Sequence, residues 1–167
     1  MKPKKISPGD LFYHAVHGLC RVDQVMKEDP KNPSYSLVPK APTKTKVRFV
    51  IRASDLEISG FHELISLKEA NKILDYLKAG DLKANSNGDQ TWGLAKAILT
   101  SSQEPIDSKD ARKRQIVERS ARGLVGELAF VMKMSLKDVA TNIQKSLGNP
   151  SKISPLVVAA LSHASED

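Results

Sequence analysis

The hydrophobic period of this chain changes near residue 60, and that change limits the folds open to it. Before it, short runs alternate apolar and polar residues between Pro- and Gly-rich breaks. After it, apolar residues recur at helical spacing as far as Leu161. Leu11-Phe12-Tyr13 follows the turn-like Ser7-Pro8-Gly9-Asp10. Leu19-Cys20-Arg21-Val22-Asp23-Gln24-Val25 partly alternates after Gly18. Tyr35-Ser36-Leu37-Val38 lies between Pro30, Pro33 and Pro39, Pro42. Thr45-Lys46-Val47-Arg48-Phe49-Val50-Ile51 alternates over its whole length. Short strands at this spacing predict a small antiparallel barrel or curled sheet. The prolines are expected to confine the third run to turns and edges, because proline has no N–H for a ladder.

From residue 66 the grammar is helical. Ser66-Leu67-Lys68-Glu69 is a capping-box pattern, in which the glutamate would reach back to the backbone, and Ala70, Ile73, Leu74 and Leu77 follow as one stripe before Gly80. Asn85-Ser86-Asn87-Gly88-Asp89 is a turn-rich linker. Trp92, Ala95, Ile98 and Leu99 share a helical face, and Ser101-Ser102-Gln103-Glu104-Pro105 ends that helix. A long helix over residues 108–133, with Asp107 or Ser108 as cap, carries the stripe Val117, Ala121, Leu124, Leu128 and Val131. Arg112, Arg119 and Arg122 fall on its opposite side. Ser135-Leu136-Lys137-Asp138 opens another helix with Val139, Ile143 and Leu147, closed by Gly148-Asn149-Pro150. Ser154-Pro155 opens a last one through Leu161. The expectation is an α+β protein: a β-barrel domain over residues 1–65, a connecting helix and linker over 66–84, and a helical domain over 85–167.

Charge narrows the partners. The net charge is +7 over 167 residues. Residues 1–80 carry 14 basic and 9 acidic side chains, a balance of +5; residues 81–134 carry 9 and 7, a balance of +2; the rest is neutral. The densest cluster is Lys109, Arg112, Lys113, Arg114, Arg119 and Arg122. It suits phosphate, and with no base-reading array beside it the expectation is backbone and shape recognition. No apolar run approaches the ~20 residues of a membrane span, and no h-region follows the basic N-terminus, so no signal peptide is expected. One cysteine, Cys20, permits no internal disulfide and fits a reducing cytoplasm. His14, His17 and Cys20 have a metal-like spacing but lack a fourth ligand, so no metal or other cofactor is expected. No P-loop, dinucleotide-binding, nucleophile-elbow or zinc-protease string occurs, which predicts a non-enzymatic protein.

Several strings resemble the CarD family of bacterial transcription regulators, whose N-terminal module is shared with the transcription-repair coupling factor. They are Pro8-Gly9-Asp10-Leu11-Phe12-Tyr13-His14-Ala15-Val16-His17-Gly18-Leu19-Cys20-Arg21-Val22, then Lys46-Val47-Arg48-Phe49-Val50-Ile51, then Gly60-Phe61-His62, and Leu124-Val125-Gly126-Glu127-Leu128-Ala129. The resemblance covers about residues 6–147 and rests on order and spacing. It implies a Tudor-like barrel that binds the RNA polymerase β subunit by strand addition, through Lys46, Val47, Arg48 and Phe49. It also implies a helical domain that contacts promoter DNA at the backbone and fork, through Trp92, Arg112, Lys113, Arg114, Arg119 and Arg122. Such a protein would act as a monomer at the nucleoid, in the cytoplasm and off the membrane, and would stabilise the open promoter. His14, Val50 and His62 depart from the family pattern, and the helical half is short by about one helix of ~11–12 residues. Two alignments stay open for Trp92. In one, Asp89-Gln90-Thr91-Trp92 opens the family's wedge helix, although Gly93 and Ala95 stand where the family has arginines. In the other, Gly88-Asp89 followed by Leu94-Ala95-Lys96-Ala97-Ile98-Leu99 resembles the family's second helix, the wedge helix is missing and Trp92 has some other role. A helical tryptophan with apolar partners at i+3 and i+6 is usually core, whereas a wedge needs an exposed ring. A polymerase-binding adaptor whose helical half binds another protein is the alternative function. An RNA-binding or ribosome-associated module is a third, resting only on the basic barrel.

Overall fold

A computed structural model describes residues 5–40, 46–81, 90–103, 110–148 and 153–166. The chain divides into two compact units, Met1–Leu64 and Ile65–Asp167.

The first unit is an antiparallel sheet of five strands: β1 (Leu11–His14), β2 (Gly18–Met26), β3 (Ser34–Pro39), β4 (Phe49–Arg52) and β5 (His62–Glu63). Their spatial order is β4-β3-β2-β1-β5. Among the described residues the pairing is an open ladder, with β4 and β5 at its two edges, and not a closed barrel. Gly9 and Gly18, at φ +94° and +76°, make the turns that precede β1 and β2. Phe12, Cys20, Val22, Leu37 and Phe61 form the core, with Phe49 and Ile51 packed against it.

Two expectations about this sheet are corrected. The proline-bounded run 35–38 is not confined to turns and edges: β3 pairs with β2 on one side and β4 on the other. Pro33 stands before the strand, and Pro39, opposite Cys20, is its last residue, so both prolines sit at the strand's ends and the interior residues Ser34 to Val38 all keep their N–H groups. The run 45–51 is a strand only from Phe49. The β3–β4 ladder stops at Leu37 opposite Phe49, and two residues further along β3 stands Pro39, which has no N–H. Lys46, Val47 and Arg48 therefore precede the strand; Thr45 lies outside the described residues.

The second unit holds α1 (Leu67–Ala79), α2 (Gln90–Gln103), α3 (Ala111–Met132), α4 (Leu136–Leu147) and α5 (Pro155–Ala164). Ser66 caps α1 by accepting the Glu69 N–H at 3.1 Å, and Gly80 closes it at φ 68°. Asp110, rather than Asp107 or Ser108 (both outside the described residues), caps α3 by accepting the N–H groups of Arg112 and Lys113. Ser135 caps α4. Helix α3 packs on each of the other four helices, because Val117, Ala121, Leu124, Val125 and Leu128 give it an apolar surface wider than one stripe. Helix α1, expected as part of a connector, supplies Ala70, Ile73, Tyr76 and Leu77 to this core, and α5 supplies Val157, Ala160, Leu161 and Ala164. Both are structural parts of the helical unit.

An acidic residue lies inside it. Glu127 on α3 has no exposed surface. Its Oε1 accepts from Thr91 Oγ1 on α2 at 2.8 Å, and its Oε2 accepts the Ile65 N–H at 3.2 Å. A buried carboxyl needs such donors, and these two tie α2 and the first residue of the unit to α3.

Candidate functional site

The residues expected to bind polymerase lie at and just before β4. Strand β4 alternates: Phe49 and Ile51 turn inward, while Val50 and Arg52 are exposed, Val50 to 58%. Among the described residues β4 pairs only with β3, so its outer edge is unpaired. Lys46, Val47 and Arg48 are exposed. Phe49 differs from its neighbours: its ring lies 4.5 Å from that of His17 and 5.4 Å from that of Phe61, and it works from within the sheet. It forms, with His17, Leu19, Pro39, Lys40 and Val47, the wall of a cavity of about 500 Å3 beside the start of β4.

Arg48 is half-exposed but has two partners. Its Nη2 lies 3.1 Å from Asp23 Oδ2, and its Nη1 donates to Ser36 Oγ at 3.1 Å. Ser36 is fully buried. Neither Asp23 nor Ser36 was expected from the sequence, yet a signal existed. Cys20 and Val22 alternate inward, but the next apolar residue is Val25, one position late. One extra residue in that interval is the mark of a β-bulge, and the β2–β3 register does shift between Val22 and Gln24.

The residues expected at DNA separate into two groups. Arg112, Lys113, Arg114, Arg119 and Arg122 are all exposed on α3. Arg112, Arg119 and Arg122 lie away from the buried stripe as expected; from Ala111 to Ile116 every residue is exposed and burial begins at Val117, so Lys113 and Arg114 widen the cationic surface at the start of α3. This first turn holds no acidic residue, which opposes the positive end of the helix dipole. The backbone donors at Arg112 and Lys113 are already taken by Asp110, so an anion there would meet side chains. Glu118 lies 3.5 Å from His163 Nδ1 of α5. Lys109 lies outside the described residues.

Trp92 belongs elsewhere, and its assignment to DNA is corrected. The ring is 6% exposed and meets Tyr76 edge to face at 5.5 Å. Its Nε1 donates to Glu69 Oε2 at 3.0 Å. An inserting wedge needs an exposed ring; here burial of a large aromatic surface and a satisfied N–H hold it in the core. The same bond redirects Glu69, which does not reach back to its own helix end. The hydrogen bond from Trp92, chiefly, and then nearby Lys72 and Lys68, hold the Glu69 carboxyl below its ordinary range against a smaller opposing desolvation.

Of the His14, His17 and Cys20 string, Cys20 is buried, with a thiol pushed up to about 11 by burial. His14 Nδ1 accepts the N–H groups of Val16 and His17, while its Nε2 faces the Ser59 carbonyl at 3.2 Å. These atoms serve the turn between β1 and β2. No group of His, Cys, Asp and Glu fit to hold a metal occurs among the described residues, and no helix among them is long and apolar enough to cross a membrane.

No family model matches the chain, and no curated protein is found to be similar to it.

Proposed function

We propose that this protein is a transcription regulator of the CarD type. Its Tudor-like β unit docks on the RNA polymerase β subunit through the outer edge of β4, and its helical unit contacts promoter DNA through the arginines of α3. The observation that carries the reading is that among the described residues β4 pairs only with β3, with Val50 and Arg52 exposed on the strand and Arg48 exposed just before it. An exposed edge of this kind adds a partner strand through main-chain bonds, and its side chains choose which strand. It offers little to a second copy: antiparallel pairing of two chains centred on Val50 would bring Arg52 of one to the Arg48 that precedes the strand of the other and already holds Asp23, so no new ion pair forms there. A strand with acidic residues at alternate positions suits it, so the protein works as a monomer bound to polymerase.

Docking then raises the local concentration of the helical unit at DNA. Exposed arginines without base-reading partners bind phosphates, and they favour the melted promoter to the extent that they meet it better than the closed one. The activity is non-enzymatic and belongs at the nucleoid. Retention of the full chain by the polymerase β subunit tests the dock: wild type is retained, Arg48→Glu is lost, and failure of wild type to bind removes the reading. Titration with forked promoter DNA tests the second contact, whose affinity must fall with salt by a slope of about −0.9 per phosphate contacted.

A second reading has its own support. With Trp92 buried, the helical unit lacks a wedge there, and Ile116 and Phe130 stand 52% and 42% exposed on α3. An exposed apolar residue among arginines, as at Ile116, suits a protein surface as well as DNA. A helical unit that binds protein would show little salt dependence and no preference for forked DNA.

A further inference from the structure

We propose that Asp23 and Ser36 are positioning residues, which hold the Arg48 guanidinium aimed at a carboxylate of the docking strand. The inference rests on the docking reading of β4. Three independent features converge on one guanidinium. The first is the β-bulge: Val22 faces Leu37 and Gln24 faces Ser36, so Asp23 is the extra residue, without a cross-strand partner of its own. Bulges bend a strand and re-aim a side chain, and they recur beside functional sites. Here the result is that a residue of β2 reaches an arginine at the start of β4, across the intervening β3, at 3.1 Å. The second is Ser36 on β3, whose fully buried hydroxyl accepts from Arg48 Nη1. The third is position: Arg48 immediately precedes the edge strand, with half of its side chain still exposed.

Magnitudes separate orientation from stability. An ion pair this exposed adds little to folding. Holding a long side chain still before binding is a different effect. A flexible arginine must be ordered when the partner arrives, and removing that cost strengthens binding by roughly 2- to 10-fold. Arginine offers five donors in a rigid fork. Asp23 and Ser36 engage Nη2 and Nη1, which fixes the plane of the fork while hydrogens remain for a carboxylate of the partner. Asp23 thus orients Arg48 instead of competing for it.

The test is a double-mutant cycle on the full-length chain, read as retention by the cognate RNA polymerase core enzyme. Asp23→Ala and Ser36→Ala each weaken binding by roughly 2- to 10-fold with the unfolding midpoint close to wild type. In an Arg48→Ala background neither substitution weakens it further. The nitrogen spectrum of the arginine side chains gives a second readout: Arg48 shows separate Nη signals in wild type and one averaged signal in Asp23→Ala. If wild type does not bind polymerase, the docking reading fails and this inference falls with it. If wild type binds but Asp23→Ala binds equally or more tightly, the dock stands and the positioning role is overturned. That role is equally overturned if Asp23→Ala costs as much in the Arg48→Ala background, or if the Arg48 signals are already averaged in wild type. Should Asp23→Ala not fold, the Ser36→Ala cycle decides alone.

Discussion

At the scale of single residues, polar atoms decide where side chains go. Trp92 could have served either as a wedge or as core on its helical pattern, and its indole N–H is what finds Glu69. That bond predicts a pH effect of definite sign. The Glu69 carboxyl sits below its ordinary range when folded, so its contribution is complete above the unfolded value of about 4.3 and is lost as pH falls through the folded value. Emission of this single tryptophan should hold steady from neutral pH down to about 4.3 and shift below it, and Glu69→Gln should remove the shift. Trp92→Ala should cost the helical unit about 3–5 kcal/mol by chemical denaturation, while addition of forked DNA leaves wild-type emission unchanged. A strong quench by DNA would mean that the ring leaves the core. Glu127 was visible in the sequence only as part of a helix motif. Its burial depends on Thr91 and Ile65, 36 and 62 residues away, a separation no local pattern reports.

At the scale of elements, helices were the more legible, because caps and 3.6-residue stripes are local. Ser66, Gly80 and Ser135 act where the sequence places them. The cap of α3 is Asp110, which accepts the N–H groups of Arg112 and Lys113, in a stretch where the sequence offers several capping residues and no local pattern chooses among them. That helix also sets two effects against each other. Its cations at the positive dipole end oppose helix stability yet suit phosphate. Arg112→Glu should therefore raise the unfolding midpoint by about 2 °C. The same substitution should weaken DNA binding severalfold and reduce the salt slope by about 1. Both changes are measurable on one sample, and a loss of stability without loss of DNA binding would assign Arg112 a structural role. Strands were less legible. Pro39 could forbid a strand or merely end one, and which applies depends on what pairs beside it.

For the whole molecule, the two units differ in core. Among the described residues the core cluster of the sheet holds five buried apolar residues, against twenty-two in that of the helical unit, so the sheet should be the less stable unit. The single cysteine lies in one unit and the single tryptophan in the other, which provides separate reporters. Cys20, buried and with its thiol raised to about 11, should resist labelling at neutral pH until its unit opens. Its labelling midpoint in urea should precede that of Trp92 emission by roughly 1–2 M; coincident midpoints would mean one cooperative structure. The sequence by itself determined the α+β class, the change of period near residue 60, most helix bounds and the cationic turn of α3, because these rest on propensity, capping and spacing within a few residues. Tertiary structure alone decided that β3 lies inside the sheet and that Trp92 is core. It also decided that Glu127 is buried and that Asp23 meets Arg48. Each of these depends on which groups distant in the chain come within hydrogen-bonding reach, and only the folded chain sets that distance.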